Sequence, residues 1–175
     1  MNLTGLNFIG GELSGEGKET FNAFDPSNKK KLPVDFHEST KNEIDKACGK
    51  ASKAFDIYSN KSGKEKAVFL QEIADQILNL GDELISRCCA ETGLSSARTT
   101  GERGRTVNQL KMFAELLKEG SWVNARIETA LPDRQPVPKP DIRSMHKALG
   151  PVGVFGASNF PLAFSVSFSN FSILS

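Results

Sequence analysis

A chain of 175 residues with 38% hydrophobic and 25% charged residues has the make-up of a folded globular protein, and its net charge of +1 gives no electrostatic case for nucleic acid or an anionic membrane. Cys48, Cys88 and Cys89 lack the spacing of a disulfide framework or a CxxC pair, and His37 and His146 lie too far from them in sequence to suggest a metal cluster. The opening residues lack a signal-peptide pattern and no window nears the roughly 18 apolar residues of a membrane span, so a cytoplasmic place is expected.

Residues 5–36 mix Gly, Asn, Pro and Lys with short apolar pairs, and "FNAFDPSNKKKLPV" predicts a β-hairpin turning at Asp25-Pro26-Ser27-Asn28. Helical patterning follows. Thr40 and Glu43 are spaced as a capping box, and Ile44, Ala47, Ala51, Ala54, Phe55 and Tyr58 recur behind them as an expected core stripe. A second box, Ser62 with Glu65, predicts another helix with Val68, Phe69, Ile73, Ile77 and Leu80 facing inward.

Gly81-Asp82 reads as a break, Gly ending one helix and Asp capping the next, whose stripe is Leu84, Ile85, Cys88 and Cys89 and whose end is Gly93. Cys88 and Cys89 on that stripe are read as small core residues rather than nucleophiles. A longer helix is predicted from Ser96 to Glu119 with Val107, Leu110, Phe113, Ala114 and Leu117 inward. Within it "TTGERGRT" lacks the preceding strand and the ending of a phosphate loop, so Glu102, Arg103 and Arg105 are expected on its exposed face.

The pattern changes at Gly120. "SWVNARIETA" alternates as a half-buried strand would, "LPDRQPVPKP" places four prolines in ten residues as an extended arm, and "DIRSMHKAL" reads as a return strand with His146 at the surface. "PVGVFGA" then reads as a strand buried on both faces, running into a Gly-rich turn that displays Asn159. A residue beyond the carboxyl end of such a strand is placed to meet a ligand, and an amide there donates to a developing oxyanion or, alternatively, caps a following helix.

"LGPVGVFGASNFPLAFSV" resembles the segment of the aldehyde dehydrogenase superfamily in which a Gly-Pro-Val-Gly-Val strand meets an Asn-Phe-Pro turn. Upstream, "AETGLSSARTTGERGRTVNQLKMFAELLKEGSWVNARIETALPDRQPVPKPDIRSM" resembles the branch acting on 2,5-dioxopentanoate, the semialdehyde of 2-oxoglutarate, with fatty aldehyde dehydrogenases as relatives. The resemblance runs from about Phe8 to Val166. It implies an α/β, Rossmann-like fold, an aldehyde substrate, NADP or NAD as cofactor, and a homo-oligomer. Asn159 is implied as the oxyanion stabiliser, and Gly156, Ala157, Ser158 and Asn159 as the border of the nicotinamide-ribose site; many members carry Pro-Trp where Ala157-Ser158 stand.

The implied organisation is a hairpin and helical part over 1–120, a strand arm for oligomerisation over 121–148, and the first sheet strand with the Asn turn over 149–166. The composition shift after Val166 predicts an aberrant tail over 167–175. The family's nucleophilic Cys and Glu base lie downstream of the turn, so a truncated, inactive fragment is expected, with a non-catalytic module that docks on full-length subunits as the alternative.

Overall fold

The computed structural model describes residues 2–164, and the expected tail over 167–175 lies outside them. The described residues form three two-stranded antiparallel sheets and four α-helices. β1 (Asn7–Ile9) and β2 (Glu12–Ser14) pair across Gly10-Gly11, a two-residue turn with both φ values positive, at 59° and 84°. Two successive positive φ values are what a type I′ hairpin turn needs and what glycine supplies without strain.

β3 (Thr20–Asp25) and β4 (Lys30–His37) form the hairpin expected from the sequence. Its turn is tied by Asp25, whose Oδ1 accepts the Ser27 N–H at 2.8 Å and whose Oδ2 accepts the Asn28 side-chain N–H at 2.8 Å. Phe21 and Phe36, opposite one another in register, stack at 5.7 Å.

Both capping boxes form. The Thr40 N–H donates to Glu43 and the Glu43 N–H returns to the Thr40 hydroxyl at the start of α1 (Lys41–Tyr58). Ser62 and Glu65 do the same for α2 (Gly63–Asn79). α3 (Gly81–Thr92) ends at Gly93 in the left-handed region, and α4 (Ser96–Glu119) is capped by Ser95 and stops at Gly120.

The core lies between α2 and α4. Ala67, Leu70 and Ala74 pack on Val107, Leu110, Ala114 and Leu117, with Ile73, Ile77, Phe113 and Trp122 at the margin. The approach is close: a Cβ on Gly63 would stand 2.2 Å from the Leu117 carbonyl oxygen, so only glycine fits where the start of α2 meets the end of α4.

Several expectations are corrected. On α2, Val68 and Phe69 are exposed, as is Leu80 just past its end, because α4 takes the alanine-bearing face that lets two helices come together; Phe69 instead meets Tyr58 edge-on at 5.9 Å. The α1 stripe is not core either: Ile44, Ala51 and Ala54 are exposed, and Ala47, Phe55 and Tyr58 are only half-buried. Asp82 does not cap α3. The cap position is Leu80, without a side-chain bond, and Asp82 sits in the first turn, where its charge suits the helix dipole.

"SWVNARIETA" is not one half-buried strand. Ser121–Val123 form a 3-10 turn, and only β5 (Arg126–Glu128) pairs, with β6 (Ile142–Ser144); all six strand residues are exposed. Of the expected return strand over 141–149 only Ile142–Ser144 pairs, and a bridge from Leu131 to Lys139 spans the proline arm. Pro151–Phe155, expected as a buried strand, has no strand partner among the described residues and Phe155 is 95% exposed. A lone segment has no neighbour to satisfy its N–H and C=O groups, so no ladder forms.

Candidate functional site: the Asn159 turn

The segment after Phe155 closes on itself. The Ala157 N–H donates to the Phe164 carbonyl at 2.9 Å, the Phe164 N–H to the Phe160 carbonyl at 3.0 Å, and the Phe160 N–H to the Ala157 carbonyl at 3.3 Å. Phe160 and Phe164 meet edge-to-face at 5.2 Å inside this loop, and Ala163 is fully buried beneath it. Gly156, Ala157, Ser158 and Asn159 lie contiguously along the exposed rim. Asn159 caps no helix among the described residues, because turn structure, not a helix, follows it through Ala163.

One face of α4 grips the turn. Arg98 donates from Nη2 to the Asn159 carbonyl at 2.7 Å and from Nε to Glu102 at 3.0 Å, and its guanidinium lies over the Phe160 ring at 5.1 Å. The second oxygen of Glu102 accepts the Leu162 N–H at 3.1 Å. The Thr106 hydroxyl donates to the Leu162 carbonyl at 2.5 Å, and Arg105 lies over the Phe164 ring at 5.0 Å. The expectation that Glu102 is exposed is therefore corrected: it is buried, and Arg98 on its own helix together with the Leu162 N–H of the turn are the partners that make burial of a carboxylate tolerable. Arg98 and Thr106 were not singled out by the sequence reading, although residues 98, 102 and 106 recur every four positions and so share one helix face.

The cysteines stand elsewhere. Cys88 is buried on α3, where burial first, then the neighbouring Cys89, Glu102 and Glu91, push its thiol up and away from the reactive thiolate. Cys89 Sγ lies 3.4 Å from the Thr99 hydroxyl, and Cys48 is exposed on α1. No group of three or more metal-ligating side chains occurs among the described residues. His146 is exposed, with Nδ1 3.2 Å from the Trp122 carbonyl oxygen.

Helices, small sheets and an amide-bearing turn beside them describe an α/β chain, and the comparisons with known proteins give its family. Residues 13–173 match the aldehyde dehydrogenase family. The chain belongs to that family. It is 48% identical over 170 residues to alpha-ketoglutaric semialdehyde dehydrogenase 2 of Azospirillum brasilense, covering 95% of this chain and 32% of that protein. It is 43% identical over 163 residues to alpha-ketoglutaric semialdehyde dehydrogenase of Acinetobacter baylyi, covering 93% of this chain and 31% of that one. Among solved structures, HpcC from Thermus thermophilus shares the fold, with a TM-score of 0.78 at 24% identity over 98% of this chain and 32% of that one. The chain thus spans about a third of the length of the curated relatives it matches. No helix among the described residues is long and apolar enough to cross a membrane.

Proposed function

We propose that this chain supplies one third of an enzyme that oxidises a semialdehyde, of the 2,5-dioxopentanoate class, to its carboxylic acid with NADP or NAD. The semialdehyde branch is supported by the two relatives at 48% and 43% identity, whose names carry that substrate. The observation that carries the reading for this chain is Asn159, held at the rim of a turn whose backbone is fixed from α4. Its carboxamide N–H donates to the carbonyl oxygen of the aldehyde as that oxygen gains negative charge. A donor already oriented for this costs no reorganisation when the charge develops, and one such donor is worth about 10²–10³ in rate.

Gly156, Ala157 and Ser158 carry no bulky side chain and are exposed, so backbone is free to approach a ligand closely; they fit one border of a dinucleotide site. The dinucleotide, when bound, supplies the hydride acceptor. The nucleophile is not assigned to Cys48, Cys88 or Cys89. The first is on α1, and the others sit on the α3 stripe with Cys88 held protonated by burial.

The division into 1–120, 121–148 and 149–166 is part of this proposal, as is a cytoplasmic place. In an intact homo-oligomer, the wholly exposed β5–β6 arm and the bare faces of α1 and α2 become surfaces for the rest of the enzyme and its neighbouring subunits. The same faces support a second reading, in which the chain docks on complete subunits without catalysing. Joining residues 1–164 to the remainder of the Azospirillum brasilense protein tests the first. Oxidation of 2,5-dioxopentanoate with NADP⁺ or NAD⁺ is expected; a well-folded hybrid inert toward every short semialdehyde overturns it.

A further inference from the structure

A carboxylate buried on a helix is costly unless its oxygens are occupied, and an apolar residue at position 102 would avoid that cost. Glu102 is nevertheless 6% exposed, and both its oxygens are used for the turn: one takes the Leu162 N–H at 3.1 Å, the other takes Arg98 Nε at 3.0 Å. Arg98 in turn holds the Asn159 carbonyl at 2.7 Å, and Thr106 holds the Leu162 carbonyl. Three side chains, one turn of helix apart, therefore fix backbone atoms of Asn159 itself and of the residue three positions on. Their bonds go to backbone atoms of the turn.

We infer that Arg98, Glu102 and Thr106 are positioning residues: they clamp the turn to α4 so that the carboxamide of Asn159 is presented in a single orientation. The inference deepens the proposed role of Asn159 and rests on it, but the clamp itself is a property of the turn that is measured without turnover. A loop on the rim would otherwise sample several backbone states, and each alternative would aim the donor away from the developing charge. Arg98 and Glu102 act as one unit, because the guanidinium bridges Glu102 and the Asn159 carbonyl while Glu102 holds the Leu162 N–H, so that the two ends of the turn are coupled.

Glu102→Gln and Thr106→Val keep side-chain shape while removing the charge or the hydroxyl, so packing alone predicts no change. The full 175-residue chain is followed by NMR-detected amide exchange at Leu162, with Leu110 and Ala114 as core reporters, and by the Asn159 carboxamide resonance pair. The clamp predicts that both variants speed Leu162 exchange about tenfold. It also predicts that they broaden or average the Asn159 pair and leave Leu110 and Ala114 unchanged, and that Thr106→Ser behaves as the parent. Leu162 exchange within about twofold of the parent in both variants overturns the clamp. So does a loss of protection shared equally by Leu110 and Ala114, which reports global unfolding. A clamp that passes this test beside an Asn159 that proves dispensable for turnover would leave the positioning intact and refute the catalytic reading alone.

Discussion

The carboxylate of Glu43 accepts the hydroxyl of Ser14, twenty-nine positions earlier, and so ties the first hairpin to the start of α1. The same carboxylate also takes the Glu16 N–H at 3.2 Å and the Thr40 N–H at 2.9 Å, closing the capping box. These bonds, that of Ser14 foremost, lower its pKa from the ordinary 4.5 to about 2.

A pH dependence follows. The folded chain keeps Glu43 ionised down to about 2, whereas the unfolded chain takes its proton near 4.5. The stabilisation is therefore complete above about pH 5 and is lost as the pH falls toward 2. Glu65, lowered to about 2 chiefly by Lys61, adds to the loss in the same window. Thermal melts of the parent and of Glu43→Gln are expected to differ by several degrees at pH 7 and to converge near pH 2; a gap independent of pH contradicts the assignment.

The core between α2 and α4 predicts an asymmetry. Leu110 is fully buried, so Leu110→Ala costs about 2–5 kcal/mol in urea unfolding. Val68, 63% exposed on the same helix pair, tolerates Val68→Thr within about 0.5 kcal/mol. Equal costs at the two sites would mean that the helices pack in a different phase.

Thiol reactivity discriminates the three cysteines. Cys48 is exposed and reacts first with iodoacetamide at pH 8, while Cys88, buried and with its thiol pushed up, reacts last. Mass spectrometry of partially alkylated chain reads the order. Fastest labelling at Cys88 would reverse the view of it as a structural residue.

Gly93 ends α3 at φ 69°, and a Cβ there would stand 3.1 Å from Pro26 Cγ in the β3–β4 turn. Gly93→Ala combines left-handed strain with this contact and is expected to cost about 1–2 kcal/mol. An unchanged urea midpoint would place the helix end elsewhere.

Local signals in the sequence carried much of the fold. Capping boxes at Thr40 and Ser62, the Asp25 turn and the stop at Gly93 depend on residues near one another in sequence, and the structure has them. What misled was any inference that needed a partner. Val68 and Phe69 have the spacing of a core stripe, but which face of an apolar helix is buried depends on which one its neighbour can approach, and alanines decided that. Pro151–Phe155 has the composition of a sheet strand, yet a strand exists only with a partner to pair it. Glu102 was hidden for the opposite reason: an acid within a polar run reads as solvated, and only the returning turn sixty positions on makes it a buried anchor. The Gly10-Gly11 hairpin has a local signal too, two adjacent glycines between Phe8-Ile9 and Glu12-Leu13.

The role of Asn159 is tested most directly by Asn159→Ala in the chain joined to the rest of its Azospirillum brasilense relative, with steady-state oxidation of 2,5-dioxopentanoate as the readout. A donor that acts on developing charge predicts a fall in kcat of about 10²–10³ with KM for the aldehyde little changed. A kcat within about threefold of the parent would contradict it, and with it the reading of this turn as part of a catalytic site.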